Sequence, residues 1–510
     1  MNAPLRQDAA GAWFLGEDPL HPAQGALAAA RAELAAEFPR PDPRDLLIIA
    51  GMGLGWHARA ALDQPGRAKV LVYEPDPRDL ALAAALGPEL AGASIAHDDG
   101  ELEERLSADL VYGRVRRVRV FSPPAHRRQR PELGARVSRL VADQVRRAGV
   151  DQANRAAKQE TWLEHLAVNF KHVLDLPDVA GLAGRYRGAP ALVIGAGPSL
   201  DASLPRLAGE NLEHVLTLAA ASALGPLARA GLAPELALAL EAKDESRQFA
   251  GADPRRTLLA AASQSHPNHF AAWPGRRALF HLSPWLAALT GGGPALPSGG
   301  HATSAAFSLA VLMGCDPIAL VGQDLAFSQG RSHASGRPGG EEGGLPGLVQ
   351  TPGIHGGMVE TSEVMAGYIT WYREAAAYLA GRPQPVRVIN ATAQGARLDG
   401  FEHMLLEDAL AVLRASGARH APLAGAVGRL ARPAAEAVGQ GLAQVRGQVR
   451  QALAQLESDS LNHLLEVWPA TSAVGETLRR LPAGAESRQA RAALVRLSEV
   501  LGRMWEGLYA

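Results

Sequence analysis

The sequence predicts an α/β protein built from three parts. Two stretches, beginning near residues 46 and 190, alternate short apolar runs with glycine turns and helical segments, which is typical of parallel strands joined by helices. From about residue 401 the pattern changes to Ala/Leu/Arg-rich segments with apolar residues at helical spacing. We therefore predict an N-terminal α/β domain over residues 1–150, a central α/β domain over 151–400 and a C-terminal α-helical domain over 401–510.

Charge and cysteine content narrow the classes of function. The chain has 51 basic and 52 acidic residues and a net charge of -1, so it has no overall attraction to nucleic acid or to an anionic membrane. Its single cysteine, Cys315, excludes an internal disulfide and suits a reducing compartment. The first residues lack the apolar core of a signal peptide, and no run reaches the roughly 18 apolar residues that a membrane helix needs. We expect a cytoplasmic protein without nucleic-acid or membrane partners.

The N-terminal part begins as a Rossmann-like βαβ unit. The segment 46-LLIIAGMGLGWHARAAL-62 predicts a buried strand, a glycine turn and a helix, and 69-KVLVYEPD-76 predicts a second strand that ends in Glu74. An acid at that place could accept ribose hydroxyls, but bulky Trp56 stands where the dinucleotide fingerprint has its third glycine. Two interpretations stay open for this turn: a nucleotide or adenosyl-methionine site, and a purely structural turn.

The central part predicts a second, larger set of strands. Each is a short apolar run bounded by turn residues, and they span 191–194, 214–220, 236–242, 257–263, 278–282, 317–322 and 385–390. The glycine-rich stretch 328–357 is too long for an ordinary connection, so we predict a lid or binding loop there. A helix over 361–379 follows it.

The C-terminal part predicts long amphipathic helices. One apolar stripe is formed by Val438, Leu442, Val445, Val449, Leu453 and Leu456. Such helices must pack on each other or on a partner, which leaves open a homo-oligomer.

The turn in 191-ALVIGAGPSLD-201 is the first candidate site. A strand that ends in Gly195-Ala-Gly197 allows backbone N–H groups to approach a phosphate closely, and Pro198 suits the first position of a helix. Leu200 occupies the place of the third dinucleotide glycine, which disfavours NAD. The residues alone leave two alternatives: a nucleotide held in another way, or a tight turn without a ligand.

Gln323 and Asp324 form the second candidate site, at the end of the strand predicted over 317–322. An acid at the carboxyl end of such a strand faces the crevice where α/β proteins bind ligands, although a loop-capping aspartate has the same pattern. The sequence has no Cys/His cluster with metal-ligand spacing, so we expect no metal and no required cofactor.

Two motifs together resemble a known family. The segments 193-VIGAGPSLD-201 and 298-SGGHATSAAFSLAVLMGCDPIALVGQDLAFSQGRSHASG-336 resemble the motility-associated factor (Maf) flagellin glycosyltransferases. The central domain of that family is similar to the bacterial sialyltransferases of the Campylobacter type. The central resemblance covers about residues 190–400, and the wider pattern includes 46–57, 71–77 and 388–400.

The resemblance implies a fold and a reaction. The central domain would be a GT-A-like, sialyltransferase-like α/β domain with a lid. The chain would transfer a nonulosonic acid, such as pseudaminic or legionaminic acid, from its CMP-activated form to Ser or Thr hydroxyls of flagellin. The modification would serve flagellum assembly and motility, and the partners would be the nucleotide sugar and flagellin.

The resemblance also assigns roles to single residues. The nucleotide would be held by Gly195, Gly197, Pro198, Ser199, Ser222, Ser298, Gly299, Gly300, Thr303 and Gln323. His355 lies near the family's general-base histidine, and His333 lies near a tyrosine that donates to the phosphate. Asp324 is the third catalytic candidate. One departure is Glu241, where the family pattern has Asp, and Thr303 fits helix capping equally well.

Two other functions remain compatible with the sequence. The same central domain is similar to an archaeal pterin diphosphokinase family, which implies pyrophosphoryl transfer to 6-hydroxymethylpterin. The chain could also be a non-catalytic flagellin-binding factor. The large N- and C-terminal parts favour a protein substrate over a small pterin.

Overall fold

The computed structural model describes most of the chain. The described residues are 5–8, 12–20, 25–40, 42, 45–64, 68–111, 115, 117–328, 330–335, 348–416, 420–458, 461–469, 471–481, 485 and 487–509. The contacts divide the chain into two compact units, 1–155 with 481–485 and 156–480 with 486–510. The C-terminal helices thus group with the central sheet, and the division into three domains stays a prediction.

The first unit is an α/β unit with two sheets. Its elements are β1 (Leu5–Gln7), β2 (Trp13–Leu15), β3 (Asp18–Pro19), α1 (Ala26–Glu37), β4 (Asp45–Ala50), α2 (Trp56–Leu62), β5 (Lys69–Tyr73), α3 (Pro77–Leu86), β6 (Ala93–Ala96), α4 (Asp99–Val111), β7 (Arg117–Phe121), α5 (Pro124–Gln129) and the first part of α6 (Pro131–Asp175). The four-stranded parallel sheet has the order β6-β5-β4-β7, and β1 to β3 form a small antiparallel sheet. Every residue of β4 is buried, as expected for a parallel strand covered on both faces.

The second unit is built on a larger parallel sheet. After α6 its elements are β8 (Ala191–Ile194), α7 (Leu200–Ala208), β9 (Leu216–Ala220), α8 (Leu224–Arg229), β10 (Leu236–Ala239), β11 (Leu258–Ala262), α9 (Asn268–Ala271), β12 (Arg277–Phe280), α10 (Pro284–Thr290), α11 (Ala302–Met313), β13 (Ile318–Val321), β14 (Leu348–Pro352), β15 (Met358–Ser362), α12 (Glu363–Ala380), β16 (Val388–Asn390), β17 (Glu402–His403), α13 (Leu406–Ala415), α14 (Leu423–Gly428), α15 (Ala435–Ser458), α16 (Leu461–Val467), α17 (Ala473–Arg479) and α18 (Ser487–Tyr509). The eight-stranded sheet has the order β12-β11-β10-β9-β8-β13-β16-β17.

The α/β fold class is confirmed, and the apolar runs predicted as strands in the central part are strands. Their inner members, such as β8, β9 and β13, are buried at every residue because helices cover both faces of the sheet. The prediction for 328–357 was incomplete, since β14 lies within that stretch and pairs antiparallel with β15, which directly follows it. Residues 329 and 336–347 of that predicted lid lie outside the described residues.

The C-terminal helices pack as their apolar stripe predicts. Val438, Leu442 and Val449 of α15 are at most 1% exposed, and α15 packs against α18, α10 and α17. Most of the stripe is therefore covered within the chain, whereas Val445 and Leu453 are partly exposed. Within the described residues, no helix is long and apolar enough to cross a membrane.

Candidate functional site

The strand order of the larger sheet creates a switch point between β8 and β13. Strands β9 to β12 are added on one side of β8, whereas β13 and β16 lie on the other. The two strands are parallel, and Ile194 at the end of β8 pairs with Val321 at the end of β13. Parallel sheets bind ligands in the crevice outside the carboxyl ends at such a point. The structure therefore brings the two predicted turns, 195–199 and 322–324, to the same place.

Asp324 and Ser199 join these turns. The Asp324 carboxylate accepts two hydrogen bonds from Ser199, one from the backbone N–H at 2.9 Å and one from Oγ at 2.7 Å. Both residues are 1% exposed. Burial raises the pKa of Asp324 from 3.8 to about 6, although the bonds from Ser199 favour the charged form. We call this pair the Ser199–Asp324 clasp.

Gly195 and Gly197 are glycines because the turn after β13 passes directly against them. A Cβ on Gly197 would lie 2.1 Å from Asp324 Oδ2, and a Cβ on Gly195 would lie 2.5 Å from the carbonyl oxygen of Gly322. Their N–H groups are engaged as well, since Gly197 donates to Gly322 at 2.7 Å and Gly195 donates to Val321 at 2.8 Å. The glycines thus allow two strand ends to meet, whereas the sequence suggested amides that face a phosphate.

The loop after β16 packs against the same clasp. The N–H of Ala396 donates to the Asp324 carbonyl at 2.8 Å, and a Cβ on Gly395 would lie 2.3 Å from that oxygen. Gln323, which is 5% exposed, donates its N–H to Thr392 Oγ1 at 3.1 Å. The sequence pattern covered 388–400 but suggested no role for these residues. Their contacts place the loop directly beside the clasp.

Leu325 follows the clasp in a strained conformation. Its φ of 49° lies in the left-handed region, which side chains with a Cβ rarely adopt. Its carbonyl accepts a 2.7 Å hydrogen bond from Thr361 Oγ1, which helps to hold the conformation. Backbone strain of this kind costs about 1–3 kcal/mol and concentrates at functional sites.

The segment before the undescribed part of the predicted lid is tied to the glycine turn. Asp201 accepts the N–H of Ser335 at 3.0 Å, the Ser335 hydroxyl at 2.7 Å and the Arg331 guanidinium at 3.1 Å. In addition, Ala334 donates its N–H to the carbonyl of Ala196 at 2.8 Å. Asp201 was not among the predicted site residues, although it is the last residue of the motif 193-VIGAGPSLD-201.

The two predicted lid histidines lie on different segments. His333 belongs to the tethered segment, is partly exposed, and places Nδ1 2.8 Å from Ser332 Oγ. His355 lies in the exposed turn of the β14–β15 hairpin, with Nε2 2.8 Å from the carbonyl oxygen of Ala393. The neighbouring Ile354 donates its N–H to Gly395 at 3.0 Å. The loop after β16 therefore links His355 to the clasp.

The Ser298–Ser304 segment forms the amino end of α11. Because α11 packs on β8, β9 and β10 and leads into the parallel strand β13, its amino end lies at the carboxyl edge of the sheet. The N–H of Gly299 donates to Ser304 Oγ at 3.0 Å, and that of Gly300 donates to Ser298 Oγ at 3.0 Å. These amides, predicted to receive a ligand, are occupied by neighbouring hydroxyls in this structure.

His301 caps α11, a role that the sequence did not suggest. Its Nδ1 accepts the N–H of Ser304 at 3.3 Å, so the neutral ring carries its proton on Nε2. Burial lowers the pKa of His301 to about 3, which keeps the ring neutral. His301 also contacts the ring of Tyr368, at 4.3 Å between centroids. Thr303, predicted as a ligand or a cap, is 5% exposed within the helix and is not the cap.

Two further predicted positions lie along the same edge. Ser222 is partly exposed in a short 3-10 helix, Ala221–Ala223, directly after β9. Glu241 comes two residues after β10 and is also partly exposed, and its carbonyl accepts the N–H of His266 at 2.9 Å. Both are therefore placed toward the crevice by the topology of the sheet.

In the first unit, Glu74 stabilises the turn at 51–55. Glu74 is 0% exposed, and its two oxygens accept the N–H groups of Met52 at 2.9 Å and Asp76 at 3.1 Å. Those oxygens are not available to ribose hydroxyls. Of the two alternatives left open for this turn, the contacts of Glu74 favour the structural one.

A buried acidic and histidine cluster surrounds this turn. Ligand atoms of Glu74, Asp79 and His126 lie within 4.8 Å of one another. Such a set could in principle hold a metal ion, but the buried Arg130 guanidinium already pairs with Asp79 at 2.7 Å. Because Glu74 binds backbone N–H groups and Arg130 supplies the positive charge, the cluster fits a structural network better than a metal site.

These features define an α/β protein whose two predicted turns meet at the switch point of its larger sheet. Residues 164–330 match the family model of the MptE-like 6-hydroxymethylpterin diphosphokinases. Over its whole length the chain is similar to a solved Maf glycosyltransferase from Magnetospirillum magneticum AMB-1, at 15% identity and a TM-score of 0.54. The match covers 100% of this chain and 91% of the solved one. Among curated proteins, none matches the sequence. The resemblance to the Maf glycosyltransferases is confirmed at the level of the fold.

Proposed function

We propose that this protein is a glycosyltransferase that moves a nonulosonic acid from its CMP-activated form to Ser or Thr hydroxyls of a flagellin. The observation that carries the proposal is the Ser199–Asp324 clasp at the switch point of a fold that a Maf glycosyltransferase shares over the whole chain. The donor would be CMP-pseudaminic or CMP-legionaminic acid. The nucleotide would lie in the crevice between the glycine turn and the amino end of α11, near Ser222, Ser298 and Thr303.

The proposed roles follow from the contacts at the clasp. Asp324 is a positioning residue in this proposal, because both of its oxygens accept from Ser199 and it is buried. Gly195, Gly197 and Pro198 shape the wall of the crevice against which the nucleotide lies. Preorganised walls of this kind keep donors in place without reorganisation during the reaction.

The transfer step needs a base for the acceptor proton. In the proposed reaction the acceptor oxygen forms a bond to the anomeric carbon, the bond from that carbon to the phosphate oxygen breaks, and CMP leaves. His355 takes the acceptor proton, since its imidazole is exposed on the hairpin turn and an imidazole nitrogen can accept a proton. His333, on the segment tethered beside the glycine turn, donates to the leaving phosphate.

Pyrophosphoryl transfer is the second candidate, because the family model over 164–330 is that of pterin diphosphokinases. The two functions require different small substrates. Two measurements on the purified chain separate these functions: calorimetry with CMP, and an assay for pterin diphosphate after incubation with ATP and 6-hydroxymethylpterin. We expect saturable CMP binding and no pterin diphosphate product. Formation of pterin diphosphate, without CMP binding, would establish the second candidate and end the first.

A further inference from the structure

The ring of His355 is held by a hydrogen bond to the backbone of the loop after β16. Its Nε2 lies 2.8 Å from the carbonyl oxygen of Ala393. Because a carbonyl oxygen only accepts hydrogen bonds, the proton of the neutral ring is on Nε2 and the lone pair is on Nδ1. A neutral imidazole takes a further proton only at the nitrogen that carries the lone pair. The contact therefore makes Nδ1 the nitrogen at which His355 can act as a base.

The loop that supplies this carbonyl is attached to the turn after β13 on both sides of Ala393. Before Ala393, the Oγ1 of Thr392 accepts the N–H of Gln323 at 3.1 Å. After it, Ala396 donates its N–H to the carbonyl of Asp324 at 2.8 Å. The position of the Ala393 carbonyl is therefore fixed relative to the clasp.

Thr392 provides the first of these two attachments and is itself held in place. Its N–H donates to Asn390 Oδ1 at 3.1 Å, which forms a tight turn directly after β16. Asn390 is 1% exposed and Thr392 is 3% exposed. Because the contact with Gln323 is buried, water does not replace the hydroxyl when it is removed. A side chain without this oxygen leaves the Gln323 N–H unpaired and releases one end of the loop.

The hairpin that carries His355 is attached to the same loop through its backbone. Ile354 donates its N–H to the carbonyl of Gly395 at 3.0 Å, and Arg397 donates its N–H to the carbonyl of Pro352 at 2.8 Å. The ring and the carbonyl that it contacts thus belong to one network of backbone hydrogen bonds. Turning the ring over would exchange its two nitrogens only by breaking the bond from Nε2.

We propose that Nδ1 of His355 takes the proton of the acceptor hydroxyl and that Thr392 is the positioning residue for this base. The inference rests on the proposed glycosyltransferase function, which supplies the hydroxyl. The proton moves to Nδ1 while the acceptor oxygen bonds to the anomeric carbon and CMP leaves. The ring then carries a proton on each nitrogen, and its Nε2–H donates to Ala393 as a charged donor, which strengthens that hydrogen bond.

The tautomer of His355 tests the first part of the proposal without any transfer assay. Nitrogen NMR is recorded on the full chain with isotope-labelled histidine rings, and His355→Ala identifies the two signals of this ring. In the neutral ring we expect a pyrrole-type shift at Nε2 and a pyridine-type shift at Nδ1. The opposite pattern, or an average of the two, would overturn the proposal whether or not the protein transfers a sugar.

Variants of Thr392 test the positioning role. Thr392→Val keeps the shape of the side chain and removes its hydroxyl, whereas Thr392→Ser keeps the hydroxyl. Thr217→Val is the matched control, because Thr217 is 7% exposed and its Oγ1 accepts the N–H of Glu235 at 2.9 Å, a contact of the same kind in β9. In flagellin transfer, Thr392→Val should lower kcat by about tenfold or more and change the KM for the CMP-activated donor by less than about twofold. Thr392→Ser and Thr217→Val should keep kcat within about twofold of the parent.

Two results would overturn the positioning role. One is a folded Thr392→Val protein with the kcat of Thr217→Val, and the other is a Thr392→Ser protein that loses as much activity as Thr392→Val. Absence of transfer by the parent contradicts the proposed function instead. The ring signals of Thr392→Val then test the positioning alone: an average of the two tautomers supports the role, and signals unchanged from the parent overturn it.

Discussion

Replacing Gly197 by alanine places a methyl group inside the Ser199–Asp324 clasp. The new Cβ would lie 2.1 Å from Asp324 Oδ2, 2.7 Å from its Cγ and 2.8 Å from the carbonyl oxygen of Gly322. Contacts this short cannot persist, so either the turn moves or the Asp324 side chain turns away from Ser199. Both responses break the clasp.

The cost of this substitution follows from the bonds that are lost. A hydrogen bond to a charged group contributes about 1.5–3 kcal/mol, and overpacking a close-packed site costs about 1–3 kcal/mol. We therefore expect Gly197→Ala to lower the free energy of unfolding by about 3 kcal/mol in urea titrations. Gly209→Ala is the matched control, because its Cβ would approach nothing closer than 3.6 Å and its φ of -85° suits alanine.

A double-mutant cycle isolates the contact. Asp324→Ala removes the carboxylate that the new methyl group would strike. In that background Gly197→Ala should therefore cost clearly less than it does alone. Equal costs in the two backgrounds, or a Gly197→Ala protein as stable as Gly209→Ala, would refute the assignment of the glycine to close contact with Asp324.

Three further predictions concern the proton of Asp324, the lid segment and the proposed base. The pKa of Asp324 is raised from 3.8 to about 6, so the folded state binds this proton more tightly than the unfolded state does. The stability that this proton contributes falls as pH rises from about 4 to 6, and over that range the parent should lose on the order of 3 kcal/mol of unfolding free energy relative to Asp324→Asn. Parallel stability curves of the two proteins would contradict the shift. Asp201→Ala removes the acceptor of the Ser335 N–H, so hydrogen exchange at that amide should accelerate at least tenfold; unchanged exchange would show that Asp201 does not hold the segment. His355→Ala should lower the transfer rate by about 10²–10⁴ and leave CMP affinity unchanged, with the exposed His214→Ala as control; full activity would remove His355 from the role of base.

The strands of the larger sheet could be predicted because parallel strands buried on both faces are continuous apolar runs. The runs at 191–194 and 317–322 correspond to β8 and β13 nearly residue for residue. Their adjacency could not be predicted in the same way, because more than one hundred residues separate them and the order of strands has no local signal. That the two turns belong to one site was inferred from the resemblance to a family, because the residues alone do not indicate it.

The hairpin at the end of the predicted lid was missed for a physical reason. The outward residues of β14 and β15 are exposed, and the sequence around them is rich in glycine and proline. The strands therefore lack the apolar alternation that predicts a half-buried sheet. Their position is fixed by tertiary bonds, such as those from Thr361 to Leu325 and from Phe327 to Glu360.

The glycine turn shows that a glycine pattern typical of phosphate binding also allows a close contact within the protein. Gly195 and Gly197 suggested a phosphate cradle, because glycines allow close backbone approach. The close approach is present, but the group that approaches is the turn that carries Asp324. Sequence spacing indicates that space is needed, and only the fold shows what fills it.

The intact mass of flagellin tests the central claim most directly. Purified flagellin is incubated with this protein and CMP-pseudaminic or CMP-legionaminic acid, in parallel with the His355→Ala variant. The proposed function predicts a mass increase by whole nonulosonic acid residues, located on Ser or Thr, together with release of CMP. A folded, CMP-binding protein that leaves the mass of flagellin unchanged with both donors would contradict it.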